Sequence, residues 1–195
     1  MISTIDGIFE AARQNRRGII AVAAAHDDAV IEAVVAARKA ELITPLLVGH
    51  VDEIIELLVQ AGEDPAEYEI IAAEEDADSA AKAVALCAEG KADFLMKGIV
   101  STADIMRAVF KKDGGLRSGR LTSHFMLYEL PTYHKLLLVT DAGLNMFPIW
   151  RKKPTFWKMP PPFCRHWATS ISTPLVSVRP RQSIPRHLPR WMLLL

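Results

Sequence analysis

Four times before Lys112 a short apolar run gives way to a turn and then to an amphipathic run of helical spacing. The apolar runs lie at residues 19–25, 44–48, 68–72 and 94–96, and the helical runs at 27–40, 51–61, 79–89 and 103–111. The apolar runs do not alternate with polar residues, so both faces of each strand should be buried, as in a parallel sheet. Parallel neighbours need crossover connections, and these are right-handed. The expected fold is α/β: an open, mostly parallel sheet with helices on both faces.

Local signals fit this frame. A first helix is expected over residues 3–17, capped by Ser3 or Thr4, with Ile5, Ile8, Phe9 and Ala12 on one face and Gly18 as its stop. Asp27 or Asp28 can cap the next helix. Val51, Ile54, Ile55 and Leu58 should face inward from the run at 51–61, and Ala80, Ala83, Val84 and Cys87 from the run at 79–89. Glu74, Glu75 and Asp76 suit the amino end of that second helix. His26 stands at a strand's carboxyl end, where it either faces a cleft or holds its turn.

The junction DFLMKGIVSTADIMR, residues 93–107, carries the densest chemistry. Phe94-Leu95-Met96 reads as a buried strand, Lys97-Gly98 breaks it, and Ser101 or Thr102 caps the helix that follows. Open α/β sheets bind ligands outside the carboxyl ends of their strands. The free N–H groups and positive dipole end of a helix favour an anion there. Lys97 stands before the cap, and Arg107 lies about one and a half turns beyond it. Lys97, Gly98, Ser101, Thr102 and Arg107 thus form a candidate phosphate or phosphoanhydride site. An ordinary capped helix with solvated charges would carry the same residues.

Near residue 116 the texture changes. Residues 121–130 and 135–140 read as strands joined by the turn Pro131-Thr132-Tyr133-His134, so they should be antiparallel neighbours. We take this as the start of a second subdomain, with the first spanning residues 1–115 and the second beginning at 116–148. Ser123, His124, Asp141 and Asn145 become candidates for the facing wall of a cleft; Asp141 and Asn145 could equally satisfy a turn's own backbone.

Composition narrows the function classes. No run reaches the roughly 18 consecutive apolar residues of a membrane span. The opening segment, up to Gly18, contains acids and no apolar stretch of the secretory kind. Cys87 and Cys164 suggest no disulfide framework, which fits a reducing cytoplasm. The six histidines show no metal-ligand spacing, so no metal is expected. Neither GxGxxG nor GxxxxGK[ST] occurs.

The runs MKGIVSTADIMRA, GLRSGR, the Ser123-His124 pair and LLLVTDAGLN, in that order, resemble the phosphate acetyl/butyryl transferases, over residues 1 to about 148. The combination is specific where each piece alone is not. The resemblance implies a reversible reaction in which acyl-CoA and phosphate give acyl phosphate and free CoA. It also implies two α/β subdomains of the isocitrate/isopropylmalate dehydrogenase kind, with the active site in the cleft between them and no nicotinamide. Phosphate would attack the thioester directly in a ternary complex, with arginines and helix amino ends holding the charge. Lys97, Gly98, Ser101, Thr102 and Arg107 match the family's motif at the anion site. Asp141 and Asn145 match a motif without an assigned role, and no catalytic group is assigned. The implied partners are acyl-CoA and phosphate, with coenzyme A as substrate and product, no separate cofactor, no nucleic acid, no membrane, and a homo-oligomer in intact members.

The net charge of zero hides two compositions. Residues 1–147 hold 14 Lys+Arg against 23 Asp+Glu, whereas residues 148–195 hold 9 Lys+Arg and no acid. The later stretch also holds 9 of the 12 prolines, all four tryptophans and no glycine. Taken literally it is a basic tail of the sort that binds RNA or acidic membranes. A different reading fits better. Back-translated with a suitable codon choice from Ile149 and read from the third base, it becomes LEEKTHILENAAAVLQALGY, an amphipathic helix that continues the family pattern. A second recovery from Arg179, AAAVNPAASAPVDAA, falls in the same displaced frame. Residues 149–195 are therefore expected to be translated out of frame and to lack packed structure, leaving a truncated second subdomain and an inactive transferase. Two alternatives remain: a non-catalytic phosphate- or CoA-binding remnant, or a nucleic-acid or membrane binder acting through the tail.

Overall fold

In the computed structural model, residues 3–14, 16–116 and 125–140 are described. The chain divides into two units, Asp6–Arg120 and Leu121–Leu195 with Met1–Ile5. In the larger unit the strands are β1 (Gly18–Ala23), β2 (Ile43–Gly49), β3 (Glu69–Ala72) and β4 (Phe94–Lys97). Helix α1 (Ile5–Arg13) precedes them, and α2 (Asp28–Lys39), α3 (Val51–Gln60) and α4 (Asp76–Ala88) connect them. Helix α5 (Thr102–Val109) follows β4.

All four strands are parallel, in the order β3-β2-β1-β4. The chain winds outward from β1 to β3 and then crosses back to the other side of β1. The order therefore reverses between β1 and β4, the kind of crevice in which open α/β sheets hold ligands.

Side chains along β1 and β2 alternate between two cores. Val22 and Leu47 meet Ile31, Val34, Ile54 and Leu58 of α2 and α3. Ala21, Ala23, Leu46 and Val48 meet Ala80, Ala83 and Ile105 of α4 and α5. Burial of both faces explains why these strands read as unbroken apolar runs.

The helices follow their local signals. Asp27 caps α2, its side chain accepting from the Val30 amide at 3.2 Å. Helix α4 begins at Asp76, three residues before the expected start, and so draws Ser79 inside its first turn and into the core. Three expectations about faces fail. Phe94 is 59 % exposed because β4 ends the sheet among the described residues, and its ring lies over Gly18. Ile55 is exposed beside buried Ile54 and Leu58, because a single stripe of α3 meets the sheet. Phe9 and Ala12 are exposed, and no residue of α1 is buried.

In the smaller unit, β5 (Phe125–Tyr128) pairs antiparallel with β6 (Leu137–Thr140), pairing Phe125 with Thr140 and Tyr128 with Leu137. Tyr133 closes the intervening turn through its amide to the Leu130 carbonyl, 3.0 Å. Residues 149–195, with the expectations attached to them, lie outside the described residues. No described helix is long and apolar enough to cross a membrane.

Candidate functional site

Three strand ends build the carboxyl edge beside the reversal. At β1 the chain turns through Ala24, whose φ of +52° is a left-handed conformation costing a non-glycine residue about 1 kcal/mol. Neighbours on two sides hold it. Its amide donates to Ser79 Oγ at 2.6 Å, and its carbonyl accepts from the Ile99 amide at 3.0 Å. Ser79, only 1 % exposed, passes its own proton to the Val48 carbonyl at 2.9 Å and so ties α4 to the ends of β1 and β2. Sequence reasoning missed Ser79, because a serine near a helix start reads as a cap.

At β4 the backbone comes closer still. The Gly98 amide donates to the Ala23 carbonyl at 2.7 Å, and a Cβ at residue 98 would stand 2.1 Å from the Ala24 oxygen. Only glycine fits this approach, which accounts for the Lys-Gly break in the sequence. Lys97, half-buried, donates from Nζ to the Gly98 carbonyl at 3.1 Å.

Ser101 is the N-cap of α5, and Thr102 is its exposed first residue. Ser101 Oγ accepts from the Asp104 amide at 3.1 Å and donates to Asp104 Oδ2 at 2.5 Å. Asp104, at the third helical position, thus accepts from the Ser101 side chain while its amide donates to it. Arg107 pairs with the same carboxylate, its own side chain 74 % exposed. The Ser101 hydroxyl, and then the Arg107 guanidinium, hold the Asp104 carboxyl below its ordinary range. The helix end thus has an acid of its own, paired with an exposed arginine. The amides of Thr102 and Ala103 belong to the first turn, where no intrahelical acceptor exists. Sequence reasoning overlooked Asp104, although its spacing from Ser101 and Arg107 was readable. Ser123, His124, Asp141 and Asn145 lie outside the described residues.

Beside this junction, His26 and His50 stack, with ring centroids 4.2 Å apart and planes 8° from parallel. His26 is nearly buried, with Nε2 3.5 Å from Asp76 Oδ1. His50 holds Glu53 Oε1 through Nδ1 and the Glu74 carbonyl through Nε2, each at 2.8 Å. Glu53, then that carbonyl, raises the His50 imidazole above its usual value. No spacing rule finds this pair; it meets only because β1 and β2 are neighbours.

Residues 63–153 match the model of the family described as "Phosphate acetyl/butaryl transferase". The phosphate butyryltransferase of Clostridium acetobutylicum is 37 % identical over 153 residues, which is 78 % of this chain and 51 % of that protein. The phosphate acetyltransferase of Rhizobium meliloti is 34 % identical over 146 residues, or 75 % of this chain and 46 % of that protein. The chain spans about half the length of the curated relatives it matches. Among solved structures, a branched-chain phosphotransacylase from Enterococcus faecalis V583 superposes with a TM-score of 0.60 at 22 % identity, covering 72 % of this chain and 48 % of that one. A phosphotransacetylase from Streptococcus pyogenes gives 0.54 at 21 % identity, covering 65 % and 48 %. The fold agrees with these structures and the sequence with these relatives: the chain belongs to the phosphate acetyl/butyryl transferase family.

Proposed function

We propose that the carboxyl edge between β1 and β4 holds the phosphate of a phosphate acyltransferase. A phosphate oxygen attacks the thioester carbonyl of a short-chain acyl-CoA such as butyryl-CoA. The new C–O bond forms as the C–S bond breaks, and the CoA thiolate leaves to take up a proton. Lys97, the first-turn amides behind Ser101 and Thr102, and Arg107 released from Asp104 hold the phosphate and the charge that develops. The observation that carries this reading is the reversal of strand order beside the capped end of α5.

A second α/β subdomain of the isocitrate/isopropylmalate dehydrogenase kind, begun by the strands after residue 116, brings the acyl-CoA to the phosphate. Asp141 and Asn145 belong to its side of the cleft. The intact enzyme is a cytoplasmic homo-oligomer that uses CoA as substrate and product and needs no nicotinamide. The composition change at residue 148 supports an out-of-frame segment from residue 149 onward, so the chain as written turns over little substrate.

Thiol release from butyryl-CoA in the presence of phosphate tests this. A version with the frame shifted near codon 149 should be active, and the chain as written nearly inactive. In the active version Arg107→Ala should weaken phosphate use by about 1.5–3 kcal/mol, the worth of a charged hydrogen bond. Full activity as written would overturn the frame reading. Inactivity of both, with folding intact, would overturn the reaction, and unchanged kinetics in Arg107→Ala would remove that residue from the site.

A further inference from the structure

We infer that His26, His50 and Glu53 form a binding site for one divalent d-block cation of the zinc class, at the carboxyl edge of β1 and β2. One ligand atom from each lies within 4.8 Å of the others. Two imidazoles and a carboxylate are a donor set that zinc and its neighbours accept, and three protein ligands leave a coordination position open.

The hydrogen bonds outside the cluster favour this reading. A metal-bound histidine almost always donates its other ring N–H to a carbonyl or carboxylate, which sets the tautomer and aims the ligating nitrogen. His50 has that arrangement: Nε2 is held by the Glu74 carbonyl at 2.8 Å, and Nδ1, now hydrogen-bonded to Glu53 Oε1 at 2.8 Å, would exchange that bond for one to the ion. Two ligands in one tetrahedral shell of zinc lie about 3.3 Å apart, so this pair is already close to spacing. His26 is held more loosely. Its Nε2 faces the Asp76 carboxylate at 3.5 Å, and its Nδ1 is buried with no hydrogen-bond partner among the described residues. A buried, unpaired imidazole nitrogen is costly, and a metal bond would satisfy it.

The surroundings leave room for the ion. Gly49 borders His26 Nδ1: a Cβ there would stand 2.8 Å from that nitrogen. A hollow of about 340 Å³, lined by His50, Asp52, Glu53, Ala73 and Glu74 among others, opens beside His50 and gives solvent or a small anion access to the open position. With the ring planes 8° from parallel, the in-plane lone pairs do not converge as they stand, so one imidazole must turn out of the stack to complete the shell. The cluster lies outside the Lys97–Arg107 region, so the cation site stands or falls separately from the transferase reading.

Calorimetric titration of the full chain with zinc chloride tests the assignment. Controls replace Cys164 and His166, which are donors of their own, with serine and alanine. The expected result is one micromolar or tighter equivalent that survives in the Cys164→Ser/His166→Ala background. It should be lost in His50→Ala and strongly weakened in Glu53→Gln, and Asp76→Asn should cost about tenfold in affinity. Cobalt substituted for zinc should give the intense visible bands of a tetrahedral site, and zinc should raise the Tm of the parent but not of His50→Ala. Glu53 and Asp76 are partly exposed, so their variants stay folded, which far-UV circular dichroism verifies. Absence of micromolar zinc binding, or undiminished binding in both folded His50→Ala and Glu53→Gln, would overturn the site and leave a simple stacked pair.

Discussion

The two faces of the sheet are built differently. Helices α2 and α3 cover theirs with Ile31, Val34, Ile54 and Leu58 against Val22 and Leu47. Helices α4 and α5 cover the other largely with alanines, Ala80 and Ala83 against Ala21, Ala23 and Ala24. Full burial of a large aliphatic side chain contributes about 1.5–3 kcal/mol, and an alanine methyl far less. The first face therefore supplies bulk stability. The second gives up some of that term for close approach: α4 comes near enough for Ser79 to reach two strand ends. The proposed phosphate end, at Gly98 and Ser101, adjoins this alanine face. Precision at the carboxyl edge thus comes from small residues and one hydroxyl, not from volume.

The sharpest test of the contrast is Ile54→Ala on the bulky face, expected to cost about 2–5 kcal/mol in urea unfolding. Far-UV circular dichroism is the right probe, since all four tryptophans fall within residues 148–195. A cost under about 1 kcal/mol, below the range for such truncations, would break the contrast. Next comes Gly98→Ala. Its methyl would meet the Ala24 carbonyl, and overpacking of this kind costs about 3 kcal/mol. A near-neutral result would show that β4 can slide away from β1. Ser79→Ala removes no volume to speak of, yet it orphans the buried Ala24 amide and should cost about 1–3 kcal/mol. A smaller loss would mean that the alanine face does not depend on the hydroxyl.

The smallest effect concerns pH. The Asp93 carboxylate accepts from the Ile19 amide at 2.9 Å and from Arg16 at 2.8 Å, and these, in that order, lower its pKa. A group with a lowered folded pKa stabilises the fold above its unfolded pKa, about 3.9, and loses that contribution as pH falls through the folded value. Asp93→Asn should thus be less stable than the parent at neutral pH, and the gap should close below about pH 4. A gap independent of pH would assign the effect to shape, not charge.

Much of this fold was legible because parallel strands buried on both faces leave unbroken apolar runs, and because Asp27 and Ser101 announce their helices locally. Strand order was not legible, since no periodicity says which strand lies beside which. That one unknown accounts for the misjudged burial of Phe94 and for the unforeseen meeting of His26 with His50. Ser79 stayed hidden for another reason: its partners, Ala24 and Val48, come from distant turns of the chain. At the candidate site, Lys97, Gly98, Ser101 and Arg107 were named from one local motif. Asp104, which binds both the cap and the arginine, sits in the same motif and was passed over because a first-turn acid looks routine.

The reversal of strand order has a kinetic consequence. Strand β1 finds its partner β2 soon along the chain, Gly18 against Ile43, but waits for β4 until α2, α3, β3 and α4 have all gone by, Ile20 against Phe94. Closing the longer loop costs about 1 kcal/mol more in chain entropy if the two close independently. During refolding, and on a ribosome, the β1–β2 pair should form first, with the alanine edge of β1 open until Phe94–Lys97 arrives. The proposed phosphate end would then be among the last places to exist. Pulsed hydrogen exchange should show the Ala25 amide, bonded to Val48, protected before those of Gly98 and Ile99, bonded to Ala23 and Ala24. Simultaneous protection would mean that the sheet condenses in a single step.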